Sequence, residues 1–306
     1  MAHIIANATA RPGLDAAATT AGTCGLDLIE AIIREVEAEP EVHSVGRGGW
    51  PNMAGVVELD ASIMNGATLE AGSVCALEGY LHPISIAREV MDRLPHVMLA
   101  GSGACRFARE IGAESAELLT EDAAIAYRDW IARHVPEELR KGWPDVDLSP
   151  YAKRALDPDK IHGTTCALVR DDFGNLACGV STSGWAWKYP GRIGDSPIIG
   201  AGCYADNRYG AVGCIGTGEM AIRASTARSV ILYMKQGMTV YEACHEAAGD
   251  YRDLSGGVLR SVTIHAMDAA GTPYVLTVGS DTQTVYYEWD DSHNRFESRL
   301  SESVSL

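Results

Sequence analysis

This 306-residue sequence contains no run of about twenty apolar residues, so nothing in it reads as a membrane-spanning helix. The segment from Met1 to Pro12 has neither the basic start nor the long apolar core of a secretory leader, which leads us to expect a cytoplasmic protein. The sequon Asn7-Ala8-Thr9 then carries no expectation of a glycan. Basic residues are scarce: 25 Lys and Arg stand against 41 Asp and Glu, a net charge of −16. A nucleic-acid partner needs a basic face and is not expected. None of the eight cysteines, Cys24, Cys75, Cys105, Cys166, Cys178, Cys203, Cys214 and Cys244, forms a Cys-x-x-Cys pair, and they read as small buried hydrophobes in a reducing compartment. The nine histidines have no metal-ligand spacing, so no metal and no cofactor is expected.

What is present is a soluble globular composition, 46% hydrophobic and 22% charged. Apolar residues at helical spacing predict helices over 26–38, 83–94, 104–112 and 121–134, the second opened by Pro83 in its first turn. Strand-like runs fall at 55–64 and 68–75. Prolines at 136, 144, 150 and 158 among charged residues make 136–160 the best linker in the chain. Beyond it, strands are predicted at 164–170 and 175–182, joined by the turn Asp171-Asp172-Phe173-Gly174, and near 210–215. Helices at 218–236 and 239–249 and strands at 259–267 and 273–279 follow. This order implies an α/β (α+β) fold with two sheets face to face and helices outside.

The most informative residues are His162-Gly163-Thr164-Thr165-Cys166. If the bond before Thr164 is cut, that threonine acquires a free α-amine beside its hydroxyl. Such an amine titrates near pH 8, against about 10.4 for a lysine, and can act as the base for the hydroxyl as nucleophile. Gly163 has no Cβ, so it tolerates a strained backbone and an approach to its carbonyl. Cys166, two residues along a strand, shares a face with Thr164 and reads as packing.

The following fifty residues contain Gly179-Val180-Ser181-Thr182-Ser183-Gly184, Gly191-Arg192-Ile193-Gly194-Asp195-Ser196-Pro197, Gly200-Ala201-Gly202 and Gly216-Thr217-Gly218-Glu219. Together with Ser44-Val45-Gly46-Arg47-Gly48-Gly49 and Glu58-Leu59-Asp60-Ala61-Ser62-Ile63-Met64-Asn65-Gly66, this resembles the N-terminal-nucleophile amidohydrolases of the asparaginase type 2 family, glycosylasparaginases and isoaspartyl peptidase/L-asparaginases. The resemblance implies a four-layer αββα sandwich forming a single domain over 1–306, autocleaved into an α-chain of 1–163 and a β-chain of 164–306. It implies Thr164 as nucleophile, Thr182 as its hydrogen-bonding partner and Gly216 as a backbone donor to the oxyanion. Arg192 and Asp195 would hold the α-carboxylate and α-ammonium of the substrate, with Thr217 and Gly218 beside them. The expected partner is a small-molecule β-aspartyl amide, cut glycosylasparaginase-like with release of aspartate. Isoaspartyl peptidase/L-asparaginase action, or the same machinery on an unusual amide, is the alternative, and an uncleaved idle scaffold is the rival from another class. A homodimer of cleaved αβ units is expected.

Two departures stand out against that pattern. Ile215 occupies the position where the family usually has a threonine whose hydroxyl is the second oxyanion donor; losing one donor typically costs ~10²–10³ in rate. The N-terminal Ala10-Arg11-Pro12-Gly13 replaces the aromatic Trp-Pro-Phe element of many glycosylasparaginases, and the His-Gly-Gly-Ala-Gly opening of the isoaspartyl branch is missing as well. Arg47 and Trp50 read as surface residues, or as pocket residues suited to an anionic or flat leaving group.

Overall fold

In the first half of the chain the apolar stripe Leu26, Ile29, Ile32, Ile33 and Val36 folds as helix α2 (Gly25–Ala38) and buries that face on a sheet. The computed structural model describes residues 2–19, 24–153, 155, 163–290 and 295–306. The remaining elements of this half are β1 (His3–Asn7), α1 (Leu14–Thr19), β2 (Leu59–Asn65), β3 (Ala71–Leu77), α3 (Pro83–Arg93), β4 (Met98–Ala100), α4 (Gly101–Glu110), α5 (Glu121–His134) and α6 (Glu137–Arg140). The second half supplies β5 (Thr165–Arg170), β6 (Leu176–Thr182), β7 (Cys203–Asp206), β8 (Gly210–Gly216), α7 (Gly218–Ala224), α8 (Thr226–Lys235), α9 (Val240–Gly249), β9 (Val262–Asp268), β10 (Pro273–Val278), β11 (Val285–Asp290), β12 (Arg295–Leu300) and β13 (Glu302–Val304).

Strands β12-β11-β1-β5-β6-β2-β3-β4 form one mixed sheet, and β13-β10-β9-β8-β7 form the second. α2 and α3 cover the outer face of the first sheet, and α8 and α9 that of the second. The two inner faces meet through Cys166, Leu168, Cys178, Val180, Cys203, Ala211 and Met267. Alternation sorts each strand cleanly: on β5, Cys166 and Leu168 face the partner sheet while Ala167 and Val169 face α2. This is the expected four-layer αββα arrangement.

Three expectations need correction. The predicted helix 218–236 is two helices broken at Ser225, which takes a left-handed φ of 51°. The break lets the first N–H groups of α8, at Ala227 and Arg228, donate to the Ala201 and Gly200 carbonyls. The supposed linker 136–160, of which 154 and 156–160 lie outside the described residues, is packed in its described part. Leu148 and Ala155 are buried with Trp130, Met53 and Trp187 in a satellite cluster, and Trp143 Nε1 donates to the Met53 carbonyl (2.8 Å). Its apolar residues lack a period because each packs on a platform of distant tryptophans, so a periodicity reading misses them. The strands β1, β4, β7, β11, β12 and β13 were not predicted; they are short or carry polar side chains on half-exposed sheet edges.

Candidate active site

Strand register brings the two threonines together. β5 and β6 pair antiparallel with Thr165 opposite Ser181, which sets Thr164 beside Thr182 one position further on. Both then fall on the inner face with Cys166 and Val180, as expected for Cys166. Thr164 is buried, and its carbonyl accepts from Asn7 Nδ2 (2.6 Å), while Asn7 Oδ1 accepts from the Cys166 N–H (2.9 Å). β1 thus clips the start of β5 from the side. The Thr182 hydroxyl lies 2.9 Å from the Gly163 carbonyl and 3.2 Å from that of Ser44, and its oxygen accepts from the Gly184 N–H (2.9 Å). Its proton goes first to the nearer Gly163 oxygen, which polarises the carbonyl immediately before Thr164. Gly163 has φ 146°, and a Cβ there would collide with the Ser44 side chain. A residue with a Cβ could occupy that corner only in a strained backbone and by pushing Ser44 aside. His162 lies outside the described residues.

The other end of the site is charged and is carried by loops. Asp195 is 4% exposed, and its Oδ2 has no hydrogen-bond partner among the described residues. Burial pushes its carboxyl up to about 7; Arg192 opposes that rise, while Glu219 and Asp60 reinforce it. A Cβ on Gly218 would stand 2.7 Å from Asp195 Oδ1, so the bare backbone at the start of α7 is what allows the carboxylate in. Arg192 lies over the Trp185 ring (4.2 Å to the centroid). It does not pair with Asp195: its Nε and Nη2 donate to the two oxygens of Glu219 at 3.0 and 2.8 Å. The side of the guanidinium fork is therefore filled, and an incoming carboxylate must meet the end that carries Nη1.

Beneath this pair lies a cation that the sequence reading missed. The Lys188 side chain is fully buried, 3.1 Å from the Glu58 carbonyl and 3.7 Å from Glu58 Oε2. Asp60 is wholly buried and accepts from the Ala76 N–H (2.9 Å). Burial raises the Asp60 carboxyl and lowers the Lys188 ammonium, and each opposes the other's shift by its charge. A Cβ on Gly184 would stand 3.3 Å from both Lys188 Nζ and Arg192 Nη1, so the two cations converge beside the residue that donates to Thr182.

A family model described as asparaginase matches residues 8–284. The chain belongs to the asparaginase family. Among its relatives is an isoaspartyl peptidase of Salmonella typhimurium, 37% identical over 270 residues, which are 88% of this chain and 82% of that protein. An N(4)-(beta-N-acetylglucosaminyl)-L-asparaginase of Elizabethkingia miricola is 39% identical over 226 residues, 74% of this chain but only 61% of that protein. An isoaspartyl peptidase/L-asparaginase of Homo sapiens is 37% identical over 240 residues, 78% of this chain and 70% of that one.

Within this asparaginase-family chain, Thr164, Thr182, Arg192, Asp195, Gly216, Thr217 and Gly218 fall at one end of the cleft between the sheets. Thr217 is 1% exposed and its hydroxyl has no partner among the described residues. Ile215 is half-buried against the inner face. Arg47 is exposed, as a surface residue should be. Trp50 is not a free surface aromatic: it stacks on His43 at 4.3 Å and approaches Trp187 at 5.8 Å. Asn7, Ser44, Glu58, Asp60, Trp185, Lys188 and Glu219 went unassigned. For Glu58, Asp60 and Lys188 a signal existed, since three charged residues in otherwise apolar or glycine-rich surroundings are rarely buried unless paired.

Proposed function

We propose that this chain is an N-terminal-threonine amidohydrolase that first cuts its own Gly163–Thr164 bond and then hydrolyses a β-aspartyl amide with release of aspartate. The observation that carries the reading is the buried Asp195 oxygen beside Arg192, without a hydrogen-bond partner among the described residues and at the same end of the cleft as the Thr164–Thr182 pair. A carboxylate held that way suits an α-ammonium and the adjacent guanidinium suits an α-carboxylate, so the substrate presents a free amino-acid end. Fixing that end orients a β-carbonyl toward Thr164. The Thr164 hydroxyl adds to the carbonyl while the α-amine takes its proton. The Gly216 N–H donates to the oxyanion, the amine leaves protonated, and water releases aspartate from the acyl-enzyme. In the uncut chain the same hydroxyl attacks the Gly163 carbonyl, already polarised by Thr182, and the resulting ester is hydrolysed.

The relatives' names divide between a glycosylated asparagine and isoaspartyl peptides, which share the aspartyl half recognised here and differ in the leaving group. The deciding experiment combines intact mass with aspartate release from a glycosylated asparagine, β-aspartyl dipeptides and free asparagine. Two chains, the smaller beginning Thr-Thr-Cys-Ala, together with turnover of a panel member, are expected. A single persistent full-length chain with no turnover supports the idle-scaffold reading instead.

A further inference from the structure

Ile215 offers no hydroxyl to an oxyanion, yet a hydroxyl lies directly across from it. β8 and β9 pair antiparallel with Ile215 opposite Thr263 and Gly216 opposite Val262. Facing residues of such a pair lie on the same side of the sheet with Cβ atoms about 4.5–5.5 Å apart. That side is the inner one: Val262, Ile264 and Ala266 pack under the helices, while Met267, in phase with Thr263, and Ile215 itself belong to the layer between the sheets. The stacking of the sheets fixes the level. A Cβ on Gly213 would overlap Cys166 Sγ, so Gly213 sits over Cys166. Two residues on toward the site end come Ile215 on one strand and Thr164 on the other. β9 packs over β5 and β1, so Thr263 roofs that end from the strand next to Ile215.

We infer that the Thr263 hydroxyl supplies the oxyanion donor that Ile215 lacks; this rests on the reading of Thr164 as nucleophile and Gly216 as the first donor. Thr263 is 5% exposed and belongs to a cluster of hydroxyls with Thr277, Thr284 and Ser301. The Thr284 N–H donates to Ser301 Oγ (2.8 Å), and Ser301 Oγ reaches Thr277 Oγ1 (2.8 Å). Thr277 Oγ1 lies 3.1 Å from Thr263 Oγ1 and 2.9 Å from that of Thr284, and Thr284 lies 3.4 Å from Thr263. The inferred arrangement has Ser301 donate to Thr277 and Thr277 to Thr263, with the Thr263 proton turned to the site rather than to Thr284. Hydrogen bonds in series polarise one another, which makes the terminal O–H a stronger donor. Ser301 lies beyond the stretch matched by the family model, so the chain of hydroxyls draws on the C-terminal segment that completes both sheets. The rival donor, Thr217, lies on the other side of Gly216, next to the Gly218 that abuts Asp195.

The test uses processed enzyme and L-aspartic acid β-(4-nitroanilide) as probe. Thr263→Val should lower kcat ~10²-fold with KM within about threefold, and Thr263→Ser should stay within about tenfold of wild type. Ile215→Thr alone should change kcat by less than about threefold, because the site already has its donor, whereas Ile215→Thr combined with Thr263→Val should recover most of the loss. Ser301→Ala, which shortens the chain of hydroxyls without touching the site, should lower kcat a few-fold and covers the case in which Thr263→Val fails to fold. The inference is overturned by wild-type kcat in Thr263→Val, by a double variant no better than Thr263→Val, or by a ~10²-fold gain from Ile215→Thr alone. A kcat loss in Thr217→Val with none in Thr263→Val also overturns it. An active wild type with an unaffected Thr263→Val sinks this inference only. A wild type that neither cuts itself nor releases nitroaniline sinks the parent reading and this inference together.

Discussion

The two sides of the candidate site are built by opposite means. On the Thr164 side, neutral groups are placed by backbone ladders: the β5–β6 register sets Thr164 beside Thr182, and Asn7 on β1 clips the strand start. On the Asp195 side, charged groups on loops are placed by one another, with Lys188 against Glu58 and Asp60, and Arg192 against Glu219 and Trp185. A bond-breaking hydroxyl needs placement that does not change as protons come and go, which a strand ladder gives. A recognition site must instead hold an unsatisfied charge until a ligand arrives, and only a compensated cluster can keep one buried.

Breaking the first side should have the largest effect. Thr164→Ala is expected to abolish both processing and turnover while leaving the fold intact, and Thr164→Ser to keep some of each; intact mass and aspartate release check this. A processed Thr164→Ala protein would sink the mechanism. Gly163→Ala should slow processing without unfolding the protein, because its Cβ must displace Ser44, whose carbonyl Thr182 also contacts.

On the charged side, Lys188→Met strands Asp60 and Glu58 without their cation and should cost ~3–5 kcal/mol in denaturant unfolding, with partial recovery in the double variant carrying Asp60→Asn. A loss under ~1 kcal/mol would mean that Asp60 is already neutral. Next in size is a pH effect. Asp195, at about 7 when free, must be ionised to accept the ammonium, so kcat/KM for aspartyl substrates should fall about tenfold per unit as pH drops below about 7. For stability the sign is opposite. The folded pKa lies above the unfolded value, so this group's contribution is complete below about pH 4 and is lost as pH rises through about 7. Thermal unfolding between pH 5 and 8 should show that slope, and Asp195→Asn should flatten it. The smallest change is Glu219→Gln, which leaves the Arg192 fork half-held; it should raise KM a few-fold with little change in kcat.

The sequence carried the Thr164–Thr182 side further than the Arg192–Asp195 side. Gly163, Thr164 and Thr182 are legible because they sit at strand boundaries, where periodicity and local chemistry coincide, and α2 was read to within a residue from its apolar stripe. Arg192 and Asp195 were legible as a motif, but the filling of the Arg192 fork by Glu219 was not, since 27 residues separate them. Neither was the packing of Val135 and Leu148, with Leu139, Trp143 and Val146 partly buried beside them, because tryptophans contributed by α5 and the 185–187 loop create a small core within a mostly exposed stretch. Long-range strand pairing leaves no local trace either, which is why β1, β11 and β12 went unseen.

The order β12-β11-β1-β5-β6-β2-β3-β4 has a consequence for the mature protein. β12, β11, β5 and β6 lie after the proposed cut, whereas β1, β2, β3 and β4 lie before it, so β1 is held between two strands of the other piece. A chain that folds as one molecule becomes, after the cut, two molecules threaded through a common sheet. Unfolding then changes from a first-order to a concentration-dependent equilibrium, with a midpoint that rises with protein concentration. Refolding requires two pieces to meet, because the eight-stranded sheet is divided between them, although the five-stranded sheet belongs wholly to the piece after the cut. On the proposed cut, maturation works as a ratchet: the uncut chain holds the folding information in one covalent unit, and the cut protein is kept in shape by an arrangement it could re-form only by second-order encounter.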